Sequence, residues 1–158
     1  MKTLGAVASV NPSYVYLRGE LNAPYIGADR AALAARLGTL TKTGVPTAIH
    51  SDLPVAPANP LLLMWMAVNC FGQSGKVLGP DERVTAEQAL RMVTIDAAYV
   101  LGMDDKIGSI EPGKFAAFTV LESDPLTVPS EQIRDIGVWG SVFAGGKYPA
   151  PDKQPKRD

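Results

Sequence analysis

Short apolar runs alternate along the chain with longer stretches of helical spacing, and Gly or Pro marks most of the changes. Gly5 to Val10 is small and β-branched, with Pro12 two residues beyond, which predicts a buried strand. Asn11 to Ile26 reads as loop, carrying Pro12, Gly19, Pro24 and tyrosines at 14, 16 and 25. Asp29 to Thr43 predicts a helix: Leu33, Leu37 and Leu40 share a face, Lys42 lies in the last turn, and Gly44 supplies the stop. Val45 to Ile49 predicts the next strand. Asn59-Pro60 is an N-cap and first-turn pair that opens a helix through about Cys70. That helix is apolar nearly all round, so it should be buried on more than one side.

Gly72 to Arg83 is a polar loop. Thr85 and Gln88 then fit a capping box, and the helix they open runs to about Leu101, where Gly102 ends it. Beyond this the texture changes. Ile107 to Ile110, a Glu111-Pro112-Gly113-Lys114 turn and Phe115 to Leu121 predict a β-hairpin. A helical turn near Ser130 to Arg134 follows. Val138 to Ala144 is another strand, turned by Gly145-Gly146 toward Lys147-Tyr148. The segment from Pro149 is rich in Pro and Lys and reads as a disordered tail. There is no internal repeat. The chain therefore divides into an alternating strand and helix part over 1–102, a mostly β part over 103–148 and a tail over 149–158. Two β/α units cannot close a barrel, and parallel strands are normally covered on both faces. Open edges are expected, and with them self-association.

Composition narrows the partners. The 158 residues are 46% apolar and 20% charged, a soluble globular balance. The net charge is −1 with no long basic run, which argues against nucleic acid and anionic membrane as partners. Cys70 is the sole cysteine, so an internal disulfide is impossible and a thiolate metal cluster is not expected. A reducing, cytoplasmic compartment fits this usage. Leu61 to Val68 is too short an apolar run to span a bilayer. Leu4 to Val10 is cut off by Asn11-Pro12 and does not read as a signal peptide.

The strand Val45–Ile49 runs straight into His50-Ser51-Asp52 and then a proline-broken loop. In a (β/α) barrel, strand ends deliver catalytic side chains to the barrel mouth. Asp52 reads as such a catalytic carboxylate, or as a loop Asp that turns the chain before Pro54. His50 lies two residues earlier and would share its side on a strand. It reads as a packed, hydrogen-bonded core histidine, or as a group that contacts a ligand or tunes Asp52. Asn11, Tyr14 and Tyr16 follow the preceding strand, where substrate contact and loop packing are both open. Met64, Trp65 and Met66 read as core, Trp139 as packing for the β part, and Asp104-Asp105 as a solvated turn. No Lys-Ser/Thr follows Gly145-Gly146, so that pair is a turn and not a phosphate loop.

Taken in order, a set of short motifs carries more than any one of them. They are Ala8-Ser9-Val10-Asn11-Pro12, His50-Ser51-Asp52-Leu53-Pro54-Val55 with Asn59-Pro60-Leu61, Val93-Thr94-Ile95-Asp96-Ala97-Ala98-Tyr99, Gly108-Ser109-Ile110-Glu111-Pro112-Gly113-Lys114 and Val120-Leu121-Glu122-Ser123-Asp124-Pro125-Leu126. This succession, over nearly the whole chain, resembles the C-terminal third of a metal-dependent amidohydrolase of amidohydrolase family 3. The resemblance implies an α/β fold: the last two β/α units of a (β/α)8 barrel, with Gly5–Val10 as strand seven and Val45–Ile49 as strand eight. It implies that the segment from Ile107 is the C-terminal share of a small β-sandwich. It also implies hydrolysis of an amide or N-acyl C–N bond in a small-molecule substrate. Asp52 would bind a divalent metal, with zinc the expected ion, and take the proton of the attacking water. His50, the chain's only histidine, is often Gly in relatives, and the family's other ligands, a His-x-His pair among them, have no counterpart here. Family members often carry Asp where this chain has Ala117. Met1-Lys2 resembles an internal position of the longer family sequence. The expectation is a fragment that is inactive and metal-free when isolated. The alternatives are a stand-alone, non-catalytic α/β binding domain and a half-enzyme completed by a partner chain.

Overall fold

The computed structural model describes residues 1–151. Two small sheets are joined by a helical core. Strand β1 (Ala8–Val10) pairs in parallel with β2 (Thr47–Ile49), with Ala8 opposite Thr47 and Val10 opposite Ile49. Parallel pairing requires a crossover, and helices α1 (Ser13–Ile26), α2 (Ala28–Ala32) and α3 (Leu37–Thr43) supply it. After β2 come α4 (Pro60–Asn69), α5 (Ala86–Met92) and α6 (Ile95–Val100). The second sheet is antiparallel, with β3 (Ala117–Leu121), β4 (Val138–Phe143) and β5 (Gly146–Pro149) in that spatial order. Among the described residues no helix is long and apolar enough to cross a membrane.

The core sits around α4. Leu61, Leu63, Met64, Trp65, Met66 and Ala67 are all buried, as an all-round apolar helix requires. Asn59 caps it by accepting from the Leu62 N–H at 3.1 Å, and Cys70 closes it in the left-handed region. Ile49 of β2, Val84, Ala89 and Met92 pack into the same cluster, together with Ile133 from a Ser130–Asp135 3-10 helix. That short helix is tied to α4 by Asn69, whose Nδ2 donates to the Ser130 carbonyl while the Ser130 hydroxyl donates to its Oδ1.

Four expectations change. Asn11 to Ile26 is largely helix, not loop. Gly19 lies where α1 packs closely, since a Cβ there would come 2.7 Å from Leu78 Cδ1, and Pro24 lies near the end of α1, where it costs the helix one i→i−4 hydrogen bond and leaves the earlier turns intact. The single helix over 29–43 is broken between α2 and α3. Leu33 turns outward and is exposed, while Ala31 and Ala35 are buried in its place. The helix predicted to Leu101 breaks at Val93-Thr94. The Gly108 backbone packs there so closely that a Cβ would meet Ile95 Cα at 2.9 Å, and Thr94 bonds its hydroxyl back to the Leu90 carbonyl. Ile107–Ile110 does not pair with Phe115–Leu121. The left-handed Gly108 turns the first segment against α6, and β3 pairs with β4 instead. The capping box at Thr85 and Gln88, the turn at 130–135 and the β4–β5 hairpin form as predicted. Pro149 closes β5, and the Ala150 N–H donates to the Trp139 carbonyl. The remainder of the expected tail, 152–158, lies outside the described residues.

Candidate active site

Both parallel strands end on the same side of the sheet, and their polar residues gather there. The face of β1–β2 that carries Ile49 is covered by the helical core. Ser9 and His50 project from the other face, and both are exposed. Ser9 Oγ and His50 Nδ1 are hydrogen-bonded at 2.8 Å, which joins the two strands through side chains.

Asn11 follows β1 directly and is buried, at 5% exposure. Its Nδ2 donates to the Ser51 carbonyl at 3.1 Å, and its Oδ1 accepts from the Ser13 N–H at 2.9 Å and from the Ser13 hydroxyl. One side chain thus fixes the loop after β2 and satisfies an orphan N–H at the start of α1. This positions Tyr14 on the first turn of α1, where its hydroxyl donates to Asp52 Oδ2 at 3.4 Å, a long contact.

Asp52 stands at the tip of the loop. Its backbone is left-handed, with φ 52°, a conformation that Asp and Asn tolerate better than most residues. The Val55 N–H donates to the Asp52 carbonyl at 2.7 Å, so the backbone turns the chain as a loop aspartate would. The carboxylate is separate from that task. It is exposed, and Tyr14 is its recorded partner among the described residues. Strand alternation does not relate it to His50, because β2 ends at Ile49. Nor does a hydrogen bond or ion pair join the two among the described residues.

Ser9, Asn11, Tyr14, His50, Ser51 and Asp52 therefore come together, and Tyr16 does not. Two residues past Tyr14 is more than half a helical turn away, and Tyr16 packs edge-on against Trp65 at 5.5 Å between ring centroids. Sequence reasoning missed Ser9 and Ser51. The two-residue spacing from Ser9 to Asn11 on a strand would have found the first. Cys70 lies apart from these residues, and burial pushes its thiol up to about 11 and keeps it protonated near neutral pH.

The described residues do not by themselves fit a divalent metal. Asp52 is one carboxylate, and no group of three or more His, Cys, Asp or Glu is assembled that could hold an ion.

The profile of the amidohydrolase family matches residues 1–146, and the chain belongs to that family. It is 34% identical over 146 residues to the N-substituted formamide deformylase of Arthrobacter pascens, covering 92% of this chain and 27% of that protein. Among solved structures it is similar to an uncharacterized metal-dependent hydrolase from Pyrococcus horikoshii OT3, with TM-score 0.68 and 29% identity, covering 82% of this chain and 26% of that one. An adenosine deaminase from Xanthomonas campestris, solved with bound zinc, shares the fold at TM-score 0.59 and 23% identity, covering 78% of this chain and 30% of that one. The chain spans about a quarter of the length of the curated relatives it matches. The solved neighbours include a metal-dependent hydrolase, and the chain shares their α/β fold.

Proposed function

We propose that the chain supplies one end of an amidohydrolase active site: the last two β/α units of a (β/α)8 barrel over 1–102 and the C-terminal share of a β-sandwich over 103–148. The complete protein would hydrolyse an amide or N-acyl bond in a small-molecule substrate. The observation that carries this reading is the Asp52 carboxylate. It sits in the loop just past the C-terminal end of β2, on a backbone turn of its own, exposed and contacted by the Tyr14 hydroxyl. A carboxylate so placed can take a proton from an attacking water and return it to a leaving amine. Tyr14 steers it through the hydroxyl contact. Asn11 holds the two loops in register, and His50, anchored by Ser9, faces the space a substrate would occupy.

The need for additional strands is supported by the sheet itself. A groove of about 690 Å³ flanks β1, and one of about 490 Å³ flanks the start of β2 between Val45 and α5–α6. Apolar side chains such as Val10, Leu40 and Val45 in the first and Val45, Met92 and Ile95 in the second share these walls with polar ones, and neighbouring β/α units would pack there. Completion by a partner chain and completion by further residues of one polypeptide make the same demand on this surface. The divalent ion, with zinc expected, would draw its remaining ligands from those additional strands. A free, buried Cys70 fits a cytoplasmic protein.

The test joins this chain to a polypeptide carrying the missing strands and follows hydrolysis of an N-formyl or amide substrate together with zinc content. The joined protein should retain zinc and turn over, and the isolated chain should hold no stoichiometric zinc after dialysis. Asp52→Asn tolerates the same backbone and should lower turnover by about 10²–10⁴-fold. Near-normal turnover of Asp52→Asn in the joined, metal-loaded protein would sink the catalytic assignment. One tightly held zinc per isolated chain would overturn the claim that the ion needs outside ligands. Absence of any turnover in a folded, zinc-loaded joined protein would favour a non-catalytic binding domain.

A further inference from the structure

The geometry points to a second ligand site, separate from Asp52, that takes a small monocarboxylate with a flat apolar body. It is a cleft of about 300 Å³ between α1, α4, the 71–77 loop and the Ser130–Asp135 helix. Three aromatic rings form its wall. Tyr16 meets Trp65 edge-on at 5.5 Å, and Phe71 lies tilted against Trp65 at 5.8 Å. The Arg134 guanidinium lies over the Trp65 ring, 4.2 Å from its centroid.

This stacking decides the chemistry. A guanidinium held over an indole keeps its charge, and the N–H groups not turned to the ring can meet an acceptor. The recorded charged partner of Arg134 is Asp135, 3.8 Å from Nε, so the Nη fork remains open to an acceptor. A carboxylate fits that fork with two parallel bonds. Tyr16 and Phe71 are each partly exposed and offer the surface on which a flat apolar body can lie. Glu131 also lines the cleft, and its charge disfavours a second negative charge on the ligand. A monocarboxylate therefore suits the cleft better than a phosphate dianion.

The walls are held independently of any ligand. The loop on one side is clasped to α1 by Glu20, which accepts from the Ser74 N–H at 3.0 Å and from its hydroxyl. Those bonds hold the Glu20 carboxyl below the usual carboxylate range. On the other side Ile133 is fully buried and Ser130 is bonded to Asn69, which fixes the helix that carries Arg134. No lining residue belongs to β1 or β2, so the site does not rest on the Asp52 reading.

Benzoate is the probe, and the indole N–H signals of Trp65 and Trp139 in the ¹⁵N-labelled chain are the readout, assigned with Trp139→Phe. Benzoate should shift the Trp65 signal saturably. Benzyl alcohol, which keeps the ring and lacks the carboxylate, should bind at least about tenfold more weakly. Arg134→Gln should weaken benzoate by a similar factor, and Arg134→Lys, which keeps charge without the fork, by less. Inorganic phosphate should leave the Trp65 signal in place. The proposal is overturned if benzoate gives no saturable shift, if benzyl alcohol matches it, if phosphate reproduces it, or if a folded Arg134→Gln binds unchanged. The comparison of benzoate with benzyl alcohol on the unaltered chain needs no variant to fold.

Discussion

The two sheets bury themselves very differently. Every residue of β2 is buried, although the strand has three residues. Across β3, β4 and β5, Gly140 alone is buried. The parallel pair cannot be joined by a tight turn, so its crossover brings helices with it, and Ile49 sinks into the cluster around α4. The antiparallel sheet needs no crossover between β4 and β5. β4 and β5 are paired through a hairpin, while Phe143 and Tyr148 stay more than half exposed. Backbone pairing and coverage of a sheet's faces are thus separate achievements, and the second sheet has made only the first.

Paired substitutions break or sharpen this contrast. Ile133→Ala removes a fully buried side chain that joins the C-terminal half to α4, and should cost about 2–5 kcal/mol by urea denaturation. Phe143→Ala removes a larger side chain from the open sheet and should stay within about 0.5 kcal/mol in dilute solution. Equal costs would mean that the second sheet is covered after all. Open edges and exposed apolar faces should also make the chain associate with itself as concentration rises. Sedimentation velocity reads this, and Phe143→Lys should lower the association. A monodisperse monomer at high concentration would remove the need for covering strands.

A pH-dependent effect concerns Cys70. Its folded pKa lies above the ordinary 9.0, at about 11, chiefly through burial. The buried thiol therefore contributes stability that is fully present below about pH 9 and is lost as pH rises through about 11. Urea midpoints of the chain and of Cys70→Ala, compared between pH 8 and pH 11, should converge at the alkaline end. Parallel curves would show that the thiol is less shielded than the helices around it.

Elements whose ends carry their own chemistry were legible from sequence. Asn59-Pro60 and the Thr85–Gln88 box opened helices where predicted, because a cap acts within one turn. The breaks at 33–36 and 93–94 were not legible. Residues distant in sequence pack beside them, with Gly38, just past the first break, under Asp81, and Gly108 against Ile95 at the second. In the site, Asp52 announced itself by following an apolar strand. Its contact with Tyr14 did not, because that contact exists only if Asn11 to Ile26 is helical, and Gly19 and Pro24 disguised the helix.

Glu82 sets an order of events. Its buried carboxylate accepts from the Thr39 N–H at 2.7 Å and from the Thr39 hydroxyl, so it completes the first turn of α3 from a distance of 43 residues. At seven residues, α3 is far too short to persist alone. A nascent chain that has emerged only as far as α4 has therefore written the letters of α3 without being able to close it. The helix waits for residue 82 to return, and α3 with it, the last leg of the crossover that sets β2 beside β1. In the folded chain a later segment thus finishes an earlier one.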